Sequence, residues 1–447
     1  MSGTSGFEET IDRLELLHRQ PVVPARVAGL RRMEFLLERL GNPHRSFRSV
    51  HITGSSGKGS TTAMVGSILQ AAGFRTGYFR SPHLFSYTER IAVNDLDIAP
   101  DAWVSYFDQL WPMVEDMWQG RLSSYDLGRP SHGEVLFALM ALHFQHSGVE
   151  WAAVEVGLGG RLDATNALTA DVAVITNVSL EHTNILGDTI EAIAVEKAAI
   201  IKPGSTAVTA ADDPGALTVI EERARQLRIP LIRVDHEVQV QVLDTSDAGQ
   251  LLRLTYAGES IDAGLSVAGT FQARNAATAF AVGQALRRQG VALSPHTMRD
   301  GLERARIPGR FEVLQRDPTV IIDGAHNPAA ALALRESLDL ILGDRGVILL
   351  FAAMADKNTL DMARVLGPRS RSVIVTRAPH APRAAAPALL AEQFQPYSDA
   401  VLAIEAPDTA LASALNLQQG DDVLLIAGSL YLVGWARNVW TSREVGV

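Results

Sequence analysis

Cysteine is absent from the 447 residues, which excludes disulfides, thiolate catalysis and cysteine-held metals and fits a reducing compartment. A basic excess is absent as well. The 40 Lys and Arg against 50 Asp and Glu leave a net charge of −10, which argues against a dedicated nucleic-acid or membrane-surface binder. Long hydrophobic runs are missing: the most apolar late stretch, residues 423–435, is too short to span a bilayer and is broken by Gly428 and Ser429. The N-terminus, Met1-Ser2-Gly3-Thr4-Ser5-Gly6-Phe7, has no basic and then apolar run of a secretory leader, so a soluble, cytoplasmic protein is expected. No internal repeat and no low-complexity tract interrupts the chain, and the mildly biased residues 383–388 read as a loop entering a helix. The acidic balance does not count against a nucleotide site, where a nest of N–H groups and one lysine suffice.

What is present is the composition of a large soluble enzyme, 47% apolar and 20% charged, in a chain longer than one core usually supports. Residues 8–41 have helical apolar spacing, stopped by Gly41-Asn42-Pro43. Residues 103–117 and 131–146 read as helices, with Trp103, Trp111 and Trp118 as packing residues. Residues 151–156 and 171–178 are near-continuous apolar strands of a parallel, doubly covered kind, and 188–201 a helix ended by Pro203-Gly204. Residues 237–265 alternate with turns at Ser246-Asp247 and Ala257-Gly258, an antiparallel patch. Beyond Ala305-Arg306-Ile307-Pro308-Gly309 strands and helices alternate again, predicting a second open, mostly parallel sheet.

The chain is organised around Val50-His51-Ile52-Thr53-Gly54-Ser55-Ser56-Gly57-Lys58-Gly59-Ser60-Thr61-Thr62. An apolar strand runs into a glycine-rich turn and then a helix, the arrangement that aims backbone N–H groups and the positive helix end at an anion. Lys58 adds a point charge for β/γ-phosphates, and the Ser60 hydroxyl suits Mg²⁺. The spacing departs from the strict phosphate-loop pattern, with Ile52 at its first glycine and Gly59 directly after the lysine. An ordinary strand–turn–helix with a solvent lysine is the plainer alternative.

Further candidates stand at strand ends. Glu155 closes an apolar strand before Gly157-Leu158-Gly159-Gly160-Arg161-Leu162-Asp163, and His182 follows the next strand. Ligands bind at the carboxyl ends of such strands, and a carboxylate, an imidazole and a loop serine suit a divalent cation bridged to phosphates. Taken singly, Glu155 reads as a solvated strand end and His182 as a surface histidine. On spacing alone Lys197 reads as an ion-pair partner of Glu196 or Glu191 on a solvated helix face. In the second half, Asp323-Gly324-Ala325-His326-Asn327-Pro328 joins an apolar strand to a helix, with Asn327-Pro328 as the entry. Arg310 follows the interdomain link and either reaches a nucleotide or is a surface arginine.

The phosphate loop, Ser81-Pro82-His83-Leu84, the Glu155 to Asn166 run, Glu196-Lys197 with Ile200-Ile201-Lys202-Pro203-Gly204, Pro308-Gly309-Arg310-Phe311-Glu312, the Asp323 to Pro328 run and Ala427-Gly428-Ser429 occur in one order over nearly the whole chain. This set resembles the folylpolyglutamate synthase/dihydrofolate synthase family within the Mur ligases. The resemblance implies an α/β protein with an N-terminal phosphate-loop ATPase domain on a mostly parallel sheet, residues 1–305. A smaller C-terminal Rossmann-like α/β domain, residues 306–447, would serve glutamate ligation.

The family makes an amide in two steps: ATP phosphorylates a carboxylate, and an amino acid's amine attacks the acyl phosphate. The implied reaction joins L-glutamate to dihydropteroate, a folate, or both. By resemblance Gly54, Gly57, Lys58, Gly59, Ser60, Thr61 and Asn275 would bind ATP, with Arg310, Asp323 and His326 reaching it from the second domain. Ser60, Ser81 and Glu155 would hold one Mg²⁺ and His182 a second, which a carbamylated Lys197 would support. Lys58, Glu155, His182 and Lys197 form the implied catalytic set. Ser81, Pro82, His83 and Arg90 would border the pterin acceptor, and Arg383 the amino-acid side. The implied partners are small molecules alone, with no nucleic acid and no membrane, and the protein is expected as a monomer.

Some positions depart from the family pattern: Ser55-Ser56 stands for Thr-Asn, Tyr87-Thr88 for Phe-Asn before Glu89-Arg90, Ala199 for glycine and Asn358 for aspartate. The acceptor-side changes leave open a Mur-type ligase for another carboxylate or pterin. A phosphate-loop switch without amide chemistry is the reading from a different class. It has no use for a glutamate–histidine metal pair or for a second nucleotide-facing domain.

Overall fold

The computed structural model describes residues 2–19, 26–121, 127–267, 269–381 and 383–444. The chain forms two compact units. One comprises Met1–Gln241, Arg253–Ala263 and Arg274–Ala305; the other comprises Val242–Leu252, Gly264–Ala273 and Arg306–Val447.

The first unit opens with helices α1 (Ser2–Arg19) and α2 (Arg26–Arg39), which divide the helical segment expected over 8–41; residues 20–25 lie outside the description. There follow β1 (Arg48–Thr53), α3 (Lys58–Ala71), β2 (Thr76–Phe79), β3 (Ile91–Val93), β4 (Leu96–Asp97), α4 (Pro100–Trp118) and α5 (His132–His146). Then come β5 (Trp151–Glu155), β6 (Val172–Ile175), α6 (Thr183–Leu186), α7 (Ile190–Ala198), β7 (Thr206–Thr209), α8 (Pro214–Leu227), β8 (Leu231–Arg233) and α9 (Val234–Glu237). Strands β9 (Val238–Ser246), β10 (Gly249–Tyr256) and β11 (Glu259–Leu265) form a three-stranded sheet in the order β11-β10-β9. Helices α10 (Thr270–Arg288) and α11 (Pro295–Arg304) complete this part of the chain.

The large sheet has the order β4-β3-β2-β5-β1-β6-β7-β8. Its pairs from β2 to β8 are parallel, while β3 and β4 are antiparallel additions too short to read from sequence. Every residue of β5 is buried, as both-face cover requires. On one side a core of Trp103, Phe107, Phe137 and Phe144 joins the sheet to α4 and α5; Trp111 is buried in it and Trp118 packs against it. A second core sets Ile193, Ala198 and Ile220 of α7 and α8 against Ala173 and Ile175 of β6. Because β1 lies between β5 and β6, the segments leaving all three strands emerge side by side, at the point where parallel sheets bind ligands.

The second unit carries β12 (Glu312–Arg316), β13 (Thr319–Asp323), α12 (Pro328–Leu342), β14 (Val347–Phe351), α13 (Thr359–Leu366), β15 (Ser372–Val375), α14 (Pro387–Phe394), β16 (Val401–Ala403), α15 (Pro407–Leu417), β17 (Val423–Ala427) and α16 (Leu430–Glu444). Its sheet order is β12-β13-β17-β14-β15-β16, parallel except for β12. Strand β12 was not expected from sequence: its Glu312 and Arg316 give an edge strand polar ends rather than an apolar run. Among the described residues no helix is long and apolar enough to cross a membrane.

Candidate active site

Residues 54–57 turn the chain from β1 into α3. Gly54 has φ +153° and Gly57 φ +79°, and a Cβ would fall 1.8 Å from Thr176 Oγ1 at the first and 2.4 Å from Asn275 Oδ1 at the second. Glycine is required at both positions. No side chain caps α3, which leaves its first-turn N–H groups and its positive end for an anion. Lys58 Nζ donates to Gly54 O at 2.8 Å across the turn. Ser60 and Thr61 are buried, and the Thr61 hydroxyl has no hydrogen-bond partner among the described residues.

The outer side of the loop is tied to the residues that follow β6. Thr176 Oγ1 donates to Ser56 O at 2.6 Å, and Asn177 accepts from Ser56 N at 2.8 Å. In the sequence these two are marked only as a Thr-Asn pair at the carboxyl end of an apolar strand.

Glu155 pairs in register with Ile52 at the end of β5 and is 3% exposed, which overturns the solvated strand-end reading. Its Oε2 accepts from Ser81 N at 3.0 Å, and a Cβ on Gly59 would lie 3.5 Å from the same oxygen. Glu155, Ser81 and the start of α3 therefore meet. The loop after Glu155 closes on half-buried Asp163, which accepts from Leu158 N at 3.0 Å and from Thr165 Oγ1 at 2.5 Å. His51 Nε2 lies 2.8 Å from that hydroxyl. Burial raises the Asp163 carboxyl above the usual carboxylate range and pushes His51 down to about 3.

Lys197 does not lie on a solvated face. Its side chain is 1% exposed, and Nζ lies 2.6 Å from Glu181 Oε1. Glu196, one of the two partners expected for it, instead pairs with Arg161 at 2.7 Å. Burial lowers the Lys197 amine to about 8; Glu181 opposes that shift and Lys58 adds to it. Glu181 is a residue that spacing did not reveal, since a loop and a helix bring the pair together. His182 is exposed, with φ +44°, at the N-terminal end of α6.

The segment after β2 is internally braced. Glu89 accepts from the N–H groups of Leu84, Phe85 and Ser86 at 2.8, 2.9 and 2.7 Å. Arg90 Nε donates to His83 Nδ1 at 2.8 Å, and burial pushes His83 down to about 3, with Arg90 adding to it. The Tyr87 hydroxyl donates to Glu15 and lies 3.3 Å from His132 Nε2. Pro82, between these anchors, is exposed.

In the second unit Asp323 ends β13 and is 4% exposed. Its Oδ2 accepts from Phe311 N and its Oδ1 from Ala325 N, each at 2.8 Å. Burial raises its carboxyl, with Arg310 and the two N–H donors opposing. Asp323 therefore holds the turn that carries Arg310 rather than presenting its oxygens outward. His326 Nδ1 lies 2.8 Å from Gly324 O on the same turn. Arg383 is elsewhere in this unit, 3.6 Å from Asp356 and mostly exposed. Residues 54–61, 81 and 155 thus gather at one sheet end, as do 310, 323 and 326 at another.

The "Mur ligase middle domain" profile matches residues 125–283, and the "Mur ligase, glutamate ligase domain" profile matches residues 309–430. The dihydrofolate synthase/folylpolyglutamate synthase of Bacillus subtilis is 34% identical over 410 residues, 91% of this chain and 93% of the relative. The Mycobacterium tuberculosis folylpolyglutamate synthase complexed with ADP superposes with a TM-score of 0.88 at 32% identity, covering 98% of this chain and 99% of its own. The Escherichia coli FolC in complex with DHPP and ADP gives a TM-score of 0.82 at 28% identity, covering 97% and 98%. With buried Glu155, Lys58 and an uncapped α3 at one sheet end, and this likeness running through both units, the chain belongs to the dihydrofolate synthase/folylpolyglutamate synthase family of Mur ligases, ATP-dependent enzymes that form amides.

Proposed function

We propose that the protein joins L-glutamate to dihydropteroate, a folate, or both, through an acyl phosphate made with ATP. The observation that carries this is Glu155: a buried carboxylate at the end of β5, beside Ser81 and the first turn of α3. Mg²⁺ takes one or two carboxylates together with hydroxyls, waters and phosphate oxygens, and Glu155, Ser60 and Ser81 supply that donor chemistry. Bound there, Mg²⁺ would neutralise charge on the transferred phosphoryl group.

In this reading the α3 N-terminus and Lys58 hold the phosphates, with Gly54, Gly57, Gly59, Thr61 and Asn275 shaping the cradle. Lys58 leaves the Gly54 carbonyl and turns to the nucleotide. Arg310 contacts the phosphates, Asp323 keeps its turn in place, and His326 reaches the nucleotide. His182 would hold a second Mg²⁺. Lys197 fits a carbamate because a buried amine lowered to about 8 has a larger neutral fraction to attack CO₂, releasing one proton. The carbamate's negative charge then suits a cation. Ser81, Pro82, His83 and Arg90 border the acceptor on a segment stiffened by Glu89, and Arg383 serves the glutamate side. The protein acts in the cytoplasm as a monomer on small molecules.

Acceptor profiling by mass spectrometry tests the substrate. Purified protein with ATP, Mg²⁺ and L-glutamate should add the mass of a glutamyl residue to dihydropteroate, to tetrahydrofolate, or to both. Addition to neither, with another carboxylate accepted instead, refutes the folate assignment and leaves a Mur-type ligase of different specificity.

A further inference from the structure

We propose that Thr176 and Asn177 are positioning residues of the ATP site, a brace that holds the phosphate loop in its nucleotide-binding shape. The proposal rests on the phosphate-loop reading above. Strand β6 ends at Ile175, and the Thr176 N–H adds a last rung by donating to Thr53 O at 2.9 Å, so neither side chain is needed for the ladder. Thr176 is 4% exposed, and its hydroxyl is pressed against Gly54, where any Cβ would collide with it. That hydroxyl donates to Ser56 O at 2.6 Å and also lies 3.3 Å from Thr53 O.

Asn177 brackets the same turn. Its carbonyl accepts from Ser55 N at 3.0 Å, its Oδ1 from Ser56 N at 2.8 Å, and its Nδ2 donates to Ser56 Oγ at 2.7 Å. Ser179 N adds a bond to Ser55 Oγ at 2.9 Å. The N–H groups of Ser55 and Ser56 are thus turned toward Asn177. A phosphate-binding loop works by aiming N–H groups at the anion, so the donors left for phosphate begin at Gly57 and continue into the uncapped first turn of α3. The same stretch continues to Glu181, the partner of Lys197, and to His182. Loop shape and the carboxylate held against Lys197 are set by one piece of chain.

The test compares full-length Thr176→Val, Thr176→Ser and Asn177→Ala with the unaltered protein. Valine keeps the volume and removes the hydroxyl; serine keeps the hydroxyl. ADP with Mg²⁺ is the probe, its Kd measured by calorimetry, alongside KM values for ATP and L-glutamate and the Tm. Thr176→Val and Asn177→Ala should weaken ADP and raise the ATP KM by about tenfold, the weight of a hydrogen bond or two, and leave the glutamate KM unchanged. Thr176→Ser should stay within about twofold of the unaltered protein. Unchanged ADP binding in Thr176→Val and Asn177→Ala, or an equal rise in the KM for glutamate, overturns the brace. Serine as weak as valine also overturns it, since the hydroxyl would then not matter. If Thr176→Val does not fold, the half-buried Asn177 decides alone. Failure of the unaltered protein to bind ADP refutes the ATP site itself, a different outcome from loss of the brace.

Discussion

Lys197 Nζ lies 2.6 Å from Glu181 Oε1, with the lysine 1% exposed. A cation so buried is normally held by a charged partner, and removing one member of such a pair leaves the other uncompensated. Lys197→Ala should abolish turnover and, in ¹³C-bicarbonate, lose any carbamate resonance that the unaltered protein shows. Lys197→Glu should restore part of the activity by supplying a carboxylate. Glu181→Gln removes the group that opposes the lowered lysine pKa, so carbamylation should occur at lower bicarbonate. Full activity in Lys197→Ala would reduce the pair to a structural role.

Lys58→Ala and Glu155→Ala should each lower turnover about 100-fold or more, the scale of removing a group that stabilises developing charge. Circular dichroism should show both variants folded, because each side chain stands at a strand end or helix start. Near-normal rates in either variant would remove that residue from the site.

Asp323→Asn keeps the size of the side chain and replaces one accepting oxygen by a donor facing the N–H of Phe311 or Ala325. The Arg310 turn should loosen, and KM for ATP should rise more than KM for glutamate. Initial-rate kinetics with each substrate varied would show it; an unaltered KM for ATP would detach Asp323 from Arg310's placement.

His51 is neutral when folded, held down to about 3 by burial, whereas its unfolded value is 6.5. Between those values the unfolded chain binds the extra proton, so this group's contribution is fully present above pH 6.5 and is lost as pH falls toward 3. Its slope reaches at most about 1.4 kcal/mol per pH unit. Urea unfolding from pH 7 to pH 4 should show a shallower acid loss in a folded His51→Gln variant than in the unaltered protein. Equal slopes would mean that His51 does not govern this window.

Much of the fold was legible because parallel strands buried on both faces leave continuous apolar runs, as in Trp151–Glu155 and Val347–Phe351. What escaped was short or at an edge: Leu96–Asp97 has two exposed residues, and Glu312–Arg316 is polar at both ends. In the site, Lys58, Glu155 and Asp323 were marked by strand-then-glycine patterns. The partnerships were not. Glu181 meets Lys197 across a loop and a helix, and Asp323 turns inward to Phe311 N, relations set by tertiary packing rather than by spacing.

The most direct measurement of the central claim is ADP and phosphate release from ATP, with dihydropteroate and L-glutamate added separately and together. An amide-forming ligase should release both products at a sustained rate only when both substrates are present, with one glutamyl addition per ADP. Sustained release that is indifferent to acceptor and glutamate would contradict the account and point to a phosphate-loop ATPase without ligase chemistry.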